Sequence, residues 1–453
     1  MHEPRPRLSL LDATLLVMGG IIGIGIFFTP STVAAALPST GAFFAAWALG
    51  AVAAIAGAMT FAELCAAYPR TGGWYVFLRE GFGRLPAFLF AWVVLFVIST
   101  GACALVARFF GDRVQELLGA RAGAHTTEVA GALAILAITG VGLTGVKSSA
   151  LFQNLCMALK LTAIGTLVVL GLTWSGDAPA ALTMPALPPP AGGLAAGFLA
   201  ASLPVLFAYG GWQLLSYIAP EVRDPQRTLP KAIVFGVLGV ALVYGLVNLA
   251  YVRVVGIEGL AADKGFAATV AARALGEQGG RFLSAAMAVS AFGFLVATLI
   301  ATPGIYVAMA REGLFPRAFG TPNPRTGAPT LALAMQCALA LGYLSLGPAS
   351  VDRLTGAVVF AEWIFHALCA LALLRLAPRL GPARPFKSPL YPLFPALYAA
   401  IALAVVVGNL VITEPGTTGL GVLVLALGAV VYVPWAARAR AVAGEAMGTT
   451  SES

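Results

Sequence analysis

Gly19-Gly20-Ile21-Ile22-Gly23-Ile24-Gly25-Ile26-Phe27-Phe28-Thr29-Pro30 lies inside the first long apolar run of the chain, residues 10–37, and its reading decides the fold. The run is long enough to cross a bilayer. Four of its residues between 19 and 25 are glycine, and each costs a helix roughly 1 kcal/mol relative to alanine. A spanning helix that breaks at mid-depth leaves backbone N–H and C=O groups unpaired, which is tolerated only where protein or a cavity satisfies them. Glycines also make a packing face for a neighbouring helix. A second stretch separates these readings: Phe207-Ala208-Tyr209-Gly210-Gly211-Trp212, behind Pro204, interrupts the apolar run 194–219. Two interrupted segments in corresponding halves of a membrane chain point to a transporter's binding site. Free N–H groups at a half-helix start suit a carboxylate, and free carbonyls at a half-helix end suit an ammonium. Together they describe a zwitterion.

The 453 residues are 59% hydrophobic and 10% charged, with a mean hydropathy of +0.90. A soluble domain with so little polar surface is excluded. The net charge of +8 is read as basic cytoplasmic loops, not as a nucleic-acid surface. Cys65, Cys103, Cys156, Cys337 and Cys369 all fall within apolar runs, with no CxxC and no disulfide framework. His2, His125 and His366 are too scattered for a metal site, and no cofactor is expected. Arg5 and Arg7 before an apolar run, then Ala34-Ala35-Ala36, mimic a signal peptide, but the run is too long and too glycine-rich at its centre.

Length and breakers predict an all-α integral membrane protein of about twelve spans, near 10–37, 41–67, 85–111, 128–145, 149–173, 194–219, 230–256, 281–308, 329–347, 354–377, 390–412 and 418–436. The interrupted spans are the first and the sixth. Five spans per copy reverse the topology, so 10–173 and 194–377 read as two inverted repeats, with two extra spans in 378–436. Residues 174–193 form an external proline-rich connector, 256–277 an external loop with a short helix, 1–9 a cytoplasmic N-terminus and 437–453 a disordered cytoplasmic tail. Lysine and arginine collect on one side, in loops carrying Arg70, Arg79, Lys147, Arg223, Arg311, Arg325, Arg379 and Lys387. This places both termini in the cytoplasm, in the cell (inner) membrane.

The chain resembles the amino acid–polyamine–organocation superfamily, and within it bacterial relatives of the L-type amino acid transporters. The resemblance runs from span 1 to span 10. Residues 19–27 look like the family's broken first helix. Glu63, Tyr68-Pro69-Arg70-Thr71-Gly72-Gly73 and Leu85-Pro86-Ala87-Phe88 are similar to its second and third helices. Phe207 to Trp212 matches the broken sixth helix, followed by Glu221 to Pro230, and Ala310 to Pro316 resembles the loop after the eighth. The resemblance implies a LeuT-like five-plus-five core and alternating-access transport of amino acids.

By the same resemblance, the backbone around Gly23, Ile24 and Gly25 cradles the substrate carboxylate. The carbonyls of Ile21, Phe207, Ala208 and Gly210 take its ammonium, and Phe207 is the aromatic gate. Lys160 occupies the place of a sodium ion near the first break, and Ser290 faces the same region. Several positions depart from the family: Ile24 stands for a frequent serine, Trp74 for an acidic residue, Val296 for asparagine and Gly304 for arginine. An apolar lining without an opposing acid favours a neutral side chain. Independently of the family, Lys160 sits in mid-span, where a charge costs about 3 kcal/mol on insertion scales; the alternative is a lysine snorkelling to an interface. Glu362 and His366, four apart on one helical face, suit either a polar packing bridge or a proton relay. Arg108 is read as snorkelling outward.

Rival readings are a polyamine or amine carrier, which calls for acidic residues near the breaks, and a membrane enzyme, for which no catalytic cluster assembles. An ion channel would need a filter sequence or charged ring. Sodium independence is expected, with exchange or proton symport open. No disulfide-linked heavy-chain subunit is expected, because the segment 111–127 between spans 3 and 4 lacks cysteine.

Overall fold

Ser9 starts the first helix: its hydroxyl accepts the N–H of Asp12 while the Asp12 carboxylate accepts the N–H of Ser9, a reciprocal capping box. A computed structural model describes residues 8–37, 39–175, 193–263, 265–382, 384–412 and 415–448. Within them the regular structure is helical, apart from one parallel bridge between Leu8 and Val222. The expected connector, at 176–192, and the last five residues of the expected tail lie outside the described residues.

Helix α1 (Leu10–Ile21) stops at the glycine stretch, and a single 3-10 turn (Gly25–Phe27) leads into α2 (Thr29–Ala36). A long α3 (Thr40–Ala67) and a short α4 (Trp74–Phe82) follow. Then α5 (Arg84–Val93) passes through a π turn into α6 (Ser99–Leu118). Next come α7 (Thr126–Leu143), α8 (Val146–Leu172), α9 (Gly193–Ala208) and the short α10 (Leu214–Tyr217). The remainder is α11 (Pro225–Ala262), α12 (Phe266–Leu275), α13 (Gln278–Ala301), α14 (Pro303–Arg311), α15 (Thr330–Ser345), α16 (Pro348–Leu380), α17 (Leu393–Ile412) and α18 (Pro415–Gly448). Proline opens α11, α14, α16 and α18, at positions where its missing N–H has no intrahelical partner to lose. Among the described residues, seven helices are long and apolar enough to cross a membrane, and shorter apolar helices accompany them. The chain is therefore a multi-pass membrane protein.

Two boundaries differ from the sequence reading. Span 3 runs on to Leu118, because its polar end is satisfied at the surface: Arg108 pairs with Glu128 and Arg113 with Glu116. Arg108 thus has a protein partner on α7 instead of merely snorkelling. The external segment between spans 3 and 4 shortens accordingly. Span 12 continues as helix to Gly448, where a disordered tail from 437 was expected; Ala436, Ala437, Ala439, Ala441 and Ala443 are strong helix formers that offset the loop-like composition beyond them.

The core that positions the site is built around α1. It packs along α11 and α8 and touches α13, while α9 packs on α2 and α3. All five cysteines are buried and free.

Candidate functional site

The two interruptions meet. At Ile22 the α1 ladder ends with the Ile22 N–H on the Met18 carbonyl, and Gly23 turns back to the Ile21 carbonyl at 2.8 Å. The first N–H groups of a helical turn have no acceptor within it, and those of Gly25 and Ile26 are of this kind. Beside them, Thr29 at the start of α2 carries a buried hydroxyl without a protein partner. In the second interruption α9 ends at Ala208, Gly210 closes a turn onto the Phe207 carbonyl at 3.1 Å, and Gly211 takes φ = +111°. A methyl group on Gly211 would fall 2.1 Å from the Gly20 carbonyl oxygen, so only glycine lets the two backbones lie this close. A Cβ on Gly25 would make ordinary 3.5 Å contacts with Ala208, so the second half of the first break also rests on the second.

Tyr244, on α11, ties the breaks together. Its hydroxyl lies 3.0 Å from the Ala208 carbonyl oxygen and 3.3 Å from that of Ile21. One O–H donates to one carbonyl at a time, with Ala208 the nearer. Two of the four carbonyls expected to meet an ammonium are therefore aimed at one point by a residue the sequence reading missed. A buried tyrosine in an apolar span looks like core packing, and nothing local marks it otherwise.

Lys160 and Ser290 arrive from the opposite side. Lys160, 1% exposed on α8, donates its Nζ to the Ile22 carbonyl, and Ser290 on α13 donates its hydroxyl to the Gly23 carbonyl at 2.6 Å. Both freed carbonyls of the first break are thus held by side chains from two other helices. Gly293 makes room for the lysine: a Cβ there would stand 3.2 Å from Cε and 3.3 Å from Nζ. The snorkelling alternative is overturned, since the ammonium turns inward to a carbonyl. Ile24, where the family often has serine, places its side chain in an apolar cluster with Cys156, Leu295 and Val296. Phe207 is 38% exposed, unlike its buried neighbours Ala208 and Tyr209, and is not a core-packing aromatic.

Glu362 and His366 also reach the second break. The Gly211 N–H donates to Gln213 Oε1 at 2.9 Å, and Gln213 Nε2 donates to Glu362 Oε1 at 2.8 Å. His366 Nε2 lies 3.9 Å from the same carboxylate oxygen, and His366 Nδ1 shares a 2.6 Å hydrogen bond with the Tyr398 hydroxyl. The sequence reading saw no acidic residue near the breaks. The structure corrects this, since 149 residues separate Gln213 from Glu362 and only tertiary packing joins them. Trp74, at the family's acidic position, sits edge-on to His366 with ring centroids 4.5 Å apart.

Residues 8–432 match the family model described as amino acid permease. The chain is 31% identical to the serine/threonine exchanger SteT of Bacillus subtilis over 94% of this chain and 96% of that protein. It is 30% identical to the human cystine/glutamate transporter, covering 94% and 84% of the two chains. It is 29% identical to the mouse b(0,+)-type amino acid transporter 1, covering 90% and 83%. With two meeting helix breaks in a bundle of apolar helices and a match across nearly its whole length, the chain belongs to the amino acid permease family of the amino acid–polyamine–organocation superfamily.

Proposed function

We propose that the protein is a secondary transporter that moves amino acids by alternating access between its two broken helices, independently of sodium. The observation that carries this reading is the paired backbone site. N–H groups freed at the 3-10 turn of Gly25–Phe27, with the Thr29 hydroxyl, suit a carboxylate. Carbonyls of Ile21, Phe207, Ala208 and Gly210 suit an ammonium. The relatives named above include an exchanger of serine and threonine and a transporter of cystine and glutamate, so the backbone supplies what all amino acids share. The apolar surroundings of Ile24 and Val296 favour a neutral side chain. Phe207, exposed at the end of α9, is the gate over the bound substrate.

Lys160 and Ser290 do the structural work of a coupling ion. Coordinating sodium takes several oxygen ligands, yet the Ile22 and Gly23 carbonyls are engaged by an ammonium and a hydroxyl. A fixed ammonium also repels a second cation at short range. The architecture we assign is twelve spans, with α1 to α8 and α9 to α16 as inverted repeats, α17 and α18 as additions, and both termini in the cytoplasm. The segment 111–127 offers no cysteine for a disulfide-linked partner, and we propose that the single chain is sufficient.

The test is radiolabelled amino acid exchange in proteoliposomes containing the purified chain, with sodium replaced by choline. Saturable counterflow of one or more neutral amino acids is expected. Absence of transport for every amino acid tried, or an absolute need for sodium, would overturn the reading.

A further inference from the structure

Glu362 is a carboxylate in mid-helix on α16, a helix that runs from Pro348 to Leu380 and contributes one of the membrane-crossing segments. A charge at this depth is rare and faces the bundle interior, paired or functional. Among the described residues no lysine or arginine pairs with it; its only basic neighbour is His366, 3.9 Å away. Its side chain nonetheless keeps 20% of its surface accessible, so a small species can reach it. The titratable groups that face it are His366 on its own helix, Tyr217 on α10 and Tyr398 on α17.

We propose that Glu362 is the binding site of a co-transported proton. This rests on the transporter reading and gives it a coupling ion. Three observations carry it. The carboxylate lacks a cationic partner, so its charge in the membrane interior is compensated by binding a proton. Its Oε1 accepts from Gln213, whose own oxygen accepts the Gly211 N–H at the second helix break. Protonation and the geometry of the substrate site are thereby linked through one amide. Finally, a cavity of about 10 Å³ beside His366 has Tyr209, Gly210, Trp212, Trp363 and Tyr398 among its lining residues. That is about the space one water occupies, placed between His366 and the break. When the Tyr398 hydroxyl donates to His366 Nδ1, the remaining ring proton stands on Nε2, facing Glu362.

The step balances. A proton from water on the entry side joins the carboxylate, travels as the neutral acid while substrate is bound, and leaves to water on the other side. With a zwitterionic neutral substrate, each cycle moves one net positive charge. Exchange of one amino acid for another needs no release of the proton.

The experiment uses proteoliposomes of the full chain loaded with a pH-sensitive dye. An inward substrate gradient should acidify the lumen, and an inward proton gradient should raise initial uptake at least three-fold; a negative interior set by potassium and valinomycin should raise it further. Glu362→Gln should lose lumen acidification and bring the gradient response within about 1.5-fold of none, while Glu362→Asp should retain part of both. Substrate binding to the detergent-solubilised variants, read by scintillation proximity, reports that they are folded. Net inward amino acid uptake down an imposed substrate gradient without any lumen acidification in wild type would overturn the proposal while leaving the transporter reading intact. So would a Glu362→Gln variant that keeps the acidification. Selective loss of cationic amino acid uptake, with coupling unchanged, would also overturn it and make Glu362 a side-chain counter-ion.

Discussion

Replacing Lys160 separates a structural lysine from a mechanistic one. Its Nζ donates to the Ile22 carbonyl inside the protein, and its side chain is 1% exposed. Removing the donor leaves that carbonyl unpaired in a site closed to water. The cost is about 1–3 kcal/mol, which is a shift of roughly 5- to 150-fold in the population of this arrangement at about 1.4 kcal/mol per tenfold. Lys160→Ala adds a cavity term, whereas Lys160→Met keeps most of the volume and removes only the ammonium. Both variants should therefore reduce initial exchange rates by at least about five-fold, with Lys160→Met the more thermostable. The assay is amino acid counterflow in proteoliposomes at matched protein density, in choline buffer across external pH 5.5 to 8 (about the range in which exposed histidines titrate). If Lys160→Met exchanges within two-fold of wild type, the ammonium does not hold the first break, and the argument from its geometry is refuted.

Three further outcomes follow from distances. Gly211→Ala should abolish uptake, because its Cβ would meet the Gly20 carbonyl at 2.1 Å and φ is +111° there, whereas Gly25→Ala, with contacts of 3.5 Å or more, should stay within about ten-fold of wild type; initial uptake rates of the two variants check the contrast. Tyr244→Phe removes the hydroxyl aimed at the Ala208 and Ile21 carbonyls and should weaken substrate affinity by about five-fold, from a hydrogen bond worth about 1 kcal/mol, as measured by substrate titration. Glu63 is fully buried and accepts from Arg384 and from the Ser388 N–H at 2.9 Å. Arg384→Met should therefore destabilise the protein by about 3–5 kcal/mol, the cost of leaving a buried charge unpaired, seen as a clear drop in melting temperature in detergent.

The broken helices were legible because glycine and proline act locally: four glycines between 19 and 25 weaken the helix wherever it is packed, and it ends at Ile21. Lys160 was legible for the same kind of reason, since a charge inside an apolar run is conspicuous. Ser290 came only from the family resemblance. Tyr244, Gly293 and the Gln213–Glu362 pair were not legible. Each depends on which helices become neighbours, and a tyrosine, a glycine or a glutamine in an apolar span has a bland local reading. The inference that no acid stands near the breaks failed on this point. Helix ends were misplaced where polar side chains find partners across helices, as Arg108 does with Glu128.

The central claim is that a substrate is recognised by its α-amino and α-carboxyl groups at two facing backbone breaks. The most direct measurement is competition binding to the purified chain, using a transported amino acid as tracer. Competitors are the same amino acid free, N-acetylated, or converted to its amide. The account predicts that the free amino acid displaces the tracer, while either blocked form is weaker by at least 100-fold. An N-acetylated or amidated competitor that displaces the tracer as well as the free amino acid would contradict it.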